Sequence, residues 1–280
     1  MSNEATEGNS GFYFPPHSTL TSRNLYLFLL DYYKILDLFF FTIRLAHNAD
    51  NAALNASKAL ISITKDEKER QRYQKTIDNP DRAVKKLNDF SGLNSKNLTV
   101  NTVDAFLWFV SATIQGAMKK RPEMVKSGES VRIEDIFEFS NKRELINYLI
   151  DRKVNSLSYG GMSKIEKFIS ESMGITMFPD EDARELMQIF VEVRNIHVHN
   201  RGFVNRVFLS RATLHEKFKF IEGKKAHLGF DELVRLTQVC VQTAIDLDIK
   251  VCKKFGIERK RYSTWRKNAI APKSDSVKAV

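Results

Sequence analysis

The sequence predicts an all-α protein, a helical bundle with an extra N-terminal helical region, and three observations favour this fold class. The 280 residues include only six prolines and twelve glycines, so few positions interrupt a helix. Hydrophobic residues make up 42% of the chain and recur mostly at helical spacing, which allows a sizeable core in one large domain or two small ones. Residues 215–221 alternate polar and apolar side chains, ahead of a turn sequence at 222–224. One short β-hairpin is expected there.

The N-terminal region, residues 19–100, is expected to be helical. Residues 1–18 before it are polar and contain adjacent prolines, so we expect them to be disordered or loosely docked. Hydrophobic periodicity predicts three helices, over residues 19–47, 51–64 and 80–90. Residues 91–101 are rich in Asn, Ser and Gly, which predicts a hinge between the two halves of the chain.

The second region, residues 101–256, is expected to form the helical bundle. Periodicity and capping residues predict five helices, over residues 103–120, 140–154, 163–173, 180–202 and 230–255. The fourth of these should begin after Asp180, an N-cap residue, and end at Gly202, which tolerates the left-handed backbone of a helix terminus. Residues 257–280 are expected to form a basic C-terminal tail.

Composition indicates a protein of the reducing cytoplasm. The first ten residues hold no apolar run, so no secretory signal is expected. Residues 25–45 are very apolar, but four charged side chains interrupt them, which predicts a buried helix and no membrane span. Cys240 and Cys252 lie too far apart on one predicted helix to form a disulfide and are interpreted as small core residues.

The most informative segment is Val-Arg-Asn-Ile-His-Val-His-Asn-Arg-Gly, which ends the helix predicted before the hairpin. At about 100° per residue, Arg194, Asn195 and His199 fall outside the apolar face of this helix. Val191 and Val198 lie between them. A basic and titratable cluster around two small apolar residues is a plausible layout for a site at an interface, so both valines are candidate dimer contacts.

This segment resembles the motif of the HEPN superfamily (higher eukaryote and prokaryote nucleotide-binding domain). In that motif an arginine and a polar residue are followed by three further residues and then by a histidine. Arg194, Asn195 and His199 occupy these positions, and residues 200–205 follow in the style of bacterial members. The resemblance extends over about residues 101–255. It implies an up-and-down helical bundle and a metal-independent endoribonuclease that leaves a 2′,3′-cyclic phosphate.

The chemistry expected of such a site needs few groups, because RNA carries its own nucleophile. His199 could remove the proton of a ribose 2′-hydroxyl, and Arg194 could hold the phosphate oxygens as charge builds at phosphorus. Asn195 would orient His199 or contact the substrate. The resemblance also implies a homodimer whose two motif helices line one cleft. It suggests a bacterial toxin or phage-defence effector, with an antitoxin or defence-system partner.

Two other interpretations stay open at this point. A HEPN module without catalysis would bind RNA or dimerise through the same surface. A helical scaffold unrelated to RNA would use Arg194 and His199 only to satisfy the last carbonyls of the helix and its dipole.

No metal or cofactor is expected. His197 and His199 form a His-X-His pair, but residues two apart on a helix point about 200° apart and cannot share one ion. His197 falls on the apolar face, so a structural role is predicted for it. The sequence contains no Cys-X-X-Cys, no HExxH and no cluster of metal-binding residues.

The net charge of +10 favours a polyanionic partner such as RNA. Candidate RNA contacts are Arg201 after the motif and a basic and aromatic set in the tail, Arg259, Lys260, Arg261, Trp265, Arg266 and Lys267. The other interpretation of this set is an exposed, solvated charge run.

Overall fold

Ten α-helices and one two-stranded sheet make up the part of the chain that the computed structural model describes, which is residues 11–125, 136, 139–212 and 218–270. The helices are α1 (Arg23–Ile61), α2 (Glu67–Asp78), α3 (Arg82–Asp89), α4 (Ser91–Lys120), α5 (Lys142–Tyr159), α6 (Met162–Glu171), α7 (Glu181–His199), α8 (Arg206–Arg211), α9 (Phe230–Phe255) and α10 (Tyr262–Ile270). A 3₁₀ helix, Pro122–Val125, follows α4, and strands β1 (Leu20–Thr21) and β2 (Lys260–Arg261) pair antiparallel. The predicted all-α fold class is confirmed.

Capping residues fix the start of α7, the helix that carries the motif, and both ends of α9. Asp180 is the N-cap of α7 and accepts a hydrogen bond from the backbone N–H of Ala183 at 2.8 Å. The Glu232 carboxylate accepts the Gly229 N–H at 2.6 Å at the start of α9. Gly256 ends α9 in the left-handed conformation, with φ at 63°. The predicted helix over residues 230–255 is therefore confirmed at both ends.

α1 is one long helix, Arg23–Ile61, so the prediction of separate helices over residues 19–47 and 51–64 is wrong. The chain holds no proline or glycine between the two predicted segments, so nothing stops the helix. The polar Asp50 within it is 8% exposed, and its carboxylate accepts the N–H groups of Ala83 and Val84 at 2.8 and 2.9 Å. Asp50 thus satisfies the free N–H groups at the start of α3 from a distant helix.

The prediction of a hinge at residues 91–101 is wrong, because these residues form the first three turns of α4. The Ser95 hydroxyl donates to the Leu228 carbonyl at 2.9 Å, so a polar residue of this stretch is used in a buried contact. Phe28 of α1 packs against Phe106 and Phe109 of α4, with ring centroids 6.2 and 5.7 Å apart. The boundary expected at residue 100 lies inside a helix, and both predicted regions contribute to one hydrophobic core.

The segment 11–18, part of the predicted disordered N-terminus, packs on the bundle. Phe12 is 6% exposed and makes edge-to-face contacts with Phe39, Phe40 and Phe230. The Tyr32 hydroxyl donates to the Tyr13 carbonyl at 3.2 Å. The aromatic side chains of this segment give it enough apolar surface to dock, while residues 1–10 lie outside the described residues.

The predicted hairpin is not found where the structure describes the chain. Its first residues, 215–217, lie outside the described ranges, and residues 218–221 form no strand. The predicted turn is present, with Gly223 at a φ of 75°. The apolar residues of the alternating pattern are Phe218 and Phe220, and their rings pack as a stacked pair with centroids 6.2 Å apart.

The C-terminal segment docks on the body of the protein instead of forming a free tail. Arg259 donates through Nε to Asp248 at 3.0 Å, and the Asp248 side chain is fully buried. The Trp265 indole N–H donates to the Thr21 carbonyl at 3.0 Å. Residues 257–270 are therefore part of the fold, and residues 271–280 lie beyond the described ones. None of the described helices is both long and apolar enough to cross a bilayer.

Arg259→Ala should lower the free energy of unfolding by about 3 kcal/mol, because it leaves the buried Asp248 carboxylate without its cation. Urea denaturation followed by circular dichroism measures the loss. Arg261→Ala removes an equal charge from an exposed position and should change stability by less than about 0.5 kcal/mol. Equal effects of the two substitutions would show that the Arg259–Asp248 pair contributes no specific stability.

Candidate functional site

Arg194 is held in place by an ion pair between two helices. Its Nε and Nη2 lie 2.7 and 2.6 Å from Oδ1 of Asp104, a residue of α4. Its Nη1 donates to Oδ1 of Asn195 at 3.1 Å. The Arg194 side chain is 21% exposed, so part of it remains open to solvent while its contact with Asp104 joins α7 to α4.

Asn195 connects Arg194 to a buried carboxyl group. Glu192 is 7% exposed, and its Oε1 accepts the side-chain amide of Gln188 at 3.1 Å. Burial raises the pKa of Glu192 above its ordinary value, while the charge of Arg211 and hydrogen bonds from Asn195 and Gln188 oppose that rise. The expected contact between Asn195 and His199 is not present among the described residues, because the Asn195 side chain is used by Arg194 and Glu192.

His199 is the last residue of α7 and is exposed to solvent. Among the described residues its imidazole has no hydrogen-bond, ion-pair or ring partner. It follows Arg194 by five positions, a rise of about 7.5 Å along the helix axis. The two side chains therefore belong to one end of α7, and His199 is free to contact a ligand.

His197 has the structural environment that its position on the helix predicts. A Cβ at Gly202 would lie 2.8 Å from Nδ1 of His197, so the ring packs directly on the backbone at that glycine. Burial lowers the pKa of His197, and the nearby charges of Lys96, His227 and Lys225 lower it further. The neutral imidazole is thus favoured at this position, where it supports the turn after α7.

The turn after α7 is held by backbone hydrogen bonds to residues 223–226. The Val204 N–H donates to the Lys224 carbonyl at 2.9 Å, and the Ala226 N–H donates to the Gly202 carbonyl at 2.9 Å. Within the turn, Arg201 adopts a φ of 53° and its side chain is exposed. Arg201 therefore lies two residues beyond His199 on an ordered turn, with its side chain exposed.

The two candidate dimer residues have different environments. Val191 is 3% exposed and belongs to the core of the chain itself, so the prediction that it lies at a dimer surface is wrong. Helix α7 packs against α4, α8 and α9, and these neighbours cover more of its circumference than one apolar face. Val198 is 46% exposed, and Phe203 and Val207 beyond it are 41% and 54% exposed. In the described stretch from residue 198 to residue 207, the exposed large apolar side chains are Val198, Phe203 and Val207.

The basic candidates of the C-terminal segment divide into structural and exposed residues. Arg259 is bound to Asp248, and the Lys260 ammonium lies 5.1 Å from the centre of the Trp265 ring, whose N–H is bound to Thr21. These contacts of Arg259, Lys260 and Trp265 hold the segment against the body of the protein. Arg261 and Arg266 are exposed, and the side chain of Lys267 lies outside the described set.

Asp104 and Glu192 are the two residues of the site that sequence reasoning missed. Asp104 looked like an ordinary acidic residue in the first turn of a helix beginning at residue 103, where acids are common. Because α4 begins at Ser91, the residue is instead in mid-helix and faces α7. Glu192 could have been noticed, since it is the one acidic residue between Phe190 and Arg194 on a helix of otherwise apolar neighbours.

The raised pKa of Glu192 predicts a pH dependence of stability. A carboxyl group with a raised pKa in the folded chain binds more protons there than in the unfolded chain, so stability falls as pH rises from about 4.5 through the raised pKa. Glu192→Gln should therefore gain stability relative to the parent protein as pH rises from about 4.5 to 7. Urea titrations at several pH values measure this difference. The exposed Glu67→Gln serves as the control, and parallel profiles for Glu192→Gln and the parent protein would contradict the assignment.

In the described part of the chain, no group of three or more His, Cys, Asp or Glu side chains is placed to hold a metal ion. Comparison of the chain with known protein families, with characterised proteins and with solved structures gives no match.

Proposed function

We propose that the protein is a metal-independent endoribonuclease of the HEPN type. The observation that carries the proposal is His199, an exposed imidazole without a partner among the described residues, at the end of the helix that also presents Arg194. The surface around it includes Arg201 and the apolar side chain of Val198, and the chain has a net charge of +10. Such a surface suits a polyanionic substrate.

In the proposed reaction His199 acts as the general base. It takes the proton of a ribose 2′-hydroxyl, whose oxygen attacks the adjacent phosphorus. The bond from phosphorus to the 5′-oxygen breaks, and that oxygen takes a proton from solvent to become a 5′-hydroxyl, while His199 releases its proton to solvent. The other product ends in a 2′,3′-cyclic phosphate. No oxidant, metal or cofactor is needed to balance this step.

Arg194 would hold the non-bridging oxygens of the phosphate. A guanidinium has five N–H groups, and the contacts with Asp104 and Asn195 leave N–H groups on both Nη atoms. Asp104 orients the guanidinium but also neutralises its charge, so one Arg194 stabilises a developing oxyanion only weakly. This argues for a homodimer, in which the second copy of α7 brings further cations to the same RNA.

The biological role proposed for this activity is that of a toxin or phage-defence effector, acting on RNA in the cytoplasm. An antitoxin or defence-system partner would restrain it. The HEPN resemblance of residues 194–205 supports this role, together with the all-α fold.

The second candidate is a HEPN module that binds RNA or dimerises without cleaving. The Arg194–Asp104 ion pair favours it, because the pair gives the motif arginine a structural role in joining α7 to α4. Both candidate functions use the exposed basic surface, and only an assay of RNA cleavage distinguishes them.

Cleavage of a mixed RNA substrate by the purified protein tests the proposal. We expect cleavage to continue in excess EDTA and to leave cyclic phosphate ends, detected by their resistance to end-labelling until the cyclic phosphate is opened and removed. Activity that is lost on chelation and restored by a divalent ion would contradict the proposed chemistry. RNA binding without any cleavage would favour the non-catalytic module.

A further inference from the structure

Helix α1 carries an exposed apolar stripe on the side that faces away from the bundle. Leu38, Phe41 and Leu45 are 65%, 53% and 56% exposed. At about 100° per residue, these three side chains lie within about 60° of one another around the helix axis. The buried residues Leu36 and Asp50 lie about 120–160° away from Leu38. The bundle and helix α3 therefore pack on a different side of α1 and leave the stripe uncovered.

The stripe continues toward the end of α1 with small residues. Four exposed alanines lie within about 60° of Leu38 around the helix axis, and they are Ala49, Ala52, Ala56 and Ala59. Between Arg44 and Lys58, the only Asp, Glu, Lys or Arg is Asp50, which is bound to α3. An exposed helix face normally carries charged and polar residues. This face is instead uncharged, with large side chains in its first half and alanines in its second half.

The order of large and small residues makes the stripe complementary to itself. Three pairs of one large and one small residue are equidistant from a point between positions 48 and 49: Leu45 with Ala52, Phe41 with Ala56, and Leu38 with Ala59. If two copies of α1 pack antiparallel about a two-fold axis at this point, each large side chain lies at the level of an alanine of the other copy. Such an arrangement fills the interface without clashes or gaps, and the alanines let the two helices approach closely.

We propose that this stripe binds the same stripe of a second copy of the chain, with the two α1 helices antiparallel and the two-fold axis between positions 48 and 49. The stripe from Leu38 to Ala59 is about 32 Å long. One helix pair of this length buries less than the roughly 1,200 Å² of a standard interface, so we expect a weak contact that forms well above micromolar concentration. The contact uses no residue of α7 and does not depend on the proposed ribonuclease activity.

Disulfide cross-linking of Asn48→Cys in the full chain tests the proposal. Asn48 is exposed and lies beside the expected axis, so its two copies meet across the interface. We expect a cross-linked dimer under mild oxidation at about 100 µM protein, where a weak interface is populated. The native residues Cys240 and Cys252 are buried and should not react.

The matched control is Asn55→Cys, the same substitution at a second exposed asparagine of α1, seven positions further along. In the antiparallel pair its two copies lie about 20 Å apart along the helix axis, which is too far for a disulfide. Asn48→Cys should therefore give at least about tenfold more cross-linked dimer than Asn55→Cys. A parallel pair would cross-link both variants equally.

A charge exchange tests the antiparallel alignment. Leu45→Glu or Ala52→Lys, each added to Asn48→Cys, should abolish cross-linking, because each buries an unpaired charge at the interface. Mixing the two proteins should restore cross-linking, because the new carboxylate of one chain then lies at the level of the new ammonium of the other. Circular dichroism verifies that every variant is folded.

Three results would overturn the proposal: no cross-link in Asn48→Cys, equal cross-linking of the two cysteine variants, or no recovery on mixing the charged variants. An absent cross-link together with binding of the chain to phosphatidylcholine vesicles would assign the stripe to a membrane surface instead. None of these readouts involves RNA cleavage or α7, so failure here leaves the ribonuclease proposal standing.

Discussion

His199→Ala is expected to lower the rate of RNA cleavage by at least about 100-fold, because it removes the group that takes the 2′-hydroxyl proton. The imidazole is exposed and has no partner among the described residues. The substitution should therefore leave the free energy of unfolding within about 0.5 kcal/mol of its original value. Single-turnover cleavage of a labelled RNA measures the rate, and urea denaturation measures the stability.

His197→Ala is the matched control, since it removes the same type of side chain two positions away. We expect it to lower stability, because the His197 ring packs on the backbone at Gly202, and to retain cleavage wherever the protein is folded. Arg194→Ala should also abolish cleavage, but it breaks the ion pair with Asp104, so its effect on activity is read only after its stability is known. A folded His197→Ala protein without activity, beside an active His199→Ala protein, would contradict the assignment of the base.

Val198→Asp is expected to abolish both self-association and cleavage while the helical content stays unchanged. Val198, Phe203 and Val207 expose apolar side chains at the end of α7, and a two-fold interface through this surface would bring two copies of His199 together. A carboxylate at the centre of such an apolar contact would be buried without a partner, which costs several kcal/mol. Sedimentation at micromolar concentration measures the oligomeric state.

Ile249→Asp provides the control for this experiment, because Ile249 is 42% exposed on α9 and lies outside the proposed interface. It should remain dimeric and active. Mixing an Arg194→Ala subunit with a His199→Ala subunit should restore part of the cleavage if one site draws these residues from opposite chains. A parent protein that is monomeric at micromolar concentration and fully active would contradict the shared site.

The sequence was sufficient wherever the structure depends on contacts within one or two helical turns. Asp180 and Gly256 mark the start of α7 and the end of α9 through hydrogen bonds and backbone conformations that involve only neighbouring residues. The same local geometry places Arg194 and His199 outside the main apolar face of α7. The all-α fold class follows from the spacing of apolar residues over the whole chain.

The sequence was insufficient wherever a distant part of the chain decides the environment of a residue. Asp50 sits within a helix because it caps another helix. Its two hydrogen bonds to that helix span 33 and 34 positions of the sequence. The Asn- and Ser-rich stretch predicted as a hinge is helical because it packs against the bundle. The basic C-terminal segment is docked because the buried Asp248 requires a cation.

On α7, the candidate site contains features that the sequence predicts and features that only the packing of distant residues decides. The angular positions of Arg194, Asn195 and His199 follow from the geometry of α7 alone. That Val191 is buried, and that Arg194 is paired with Asp104 across 90 positions of sequence, follows from the three helices packed around α7. Periodicity identifies a buried face, but the number and placement of neighbouring helices determine how wide that face is, and these are properties of the tertiary structure.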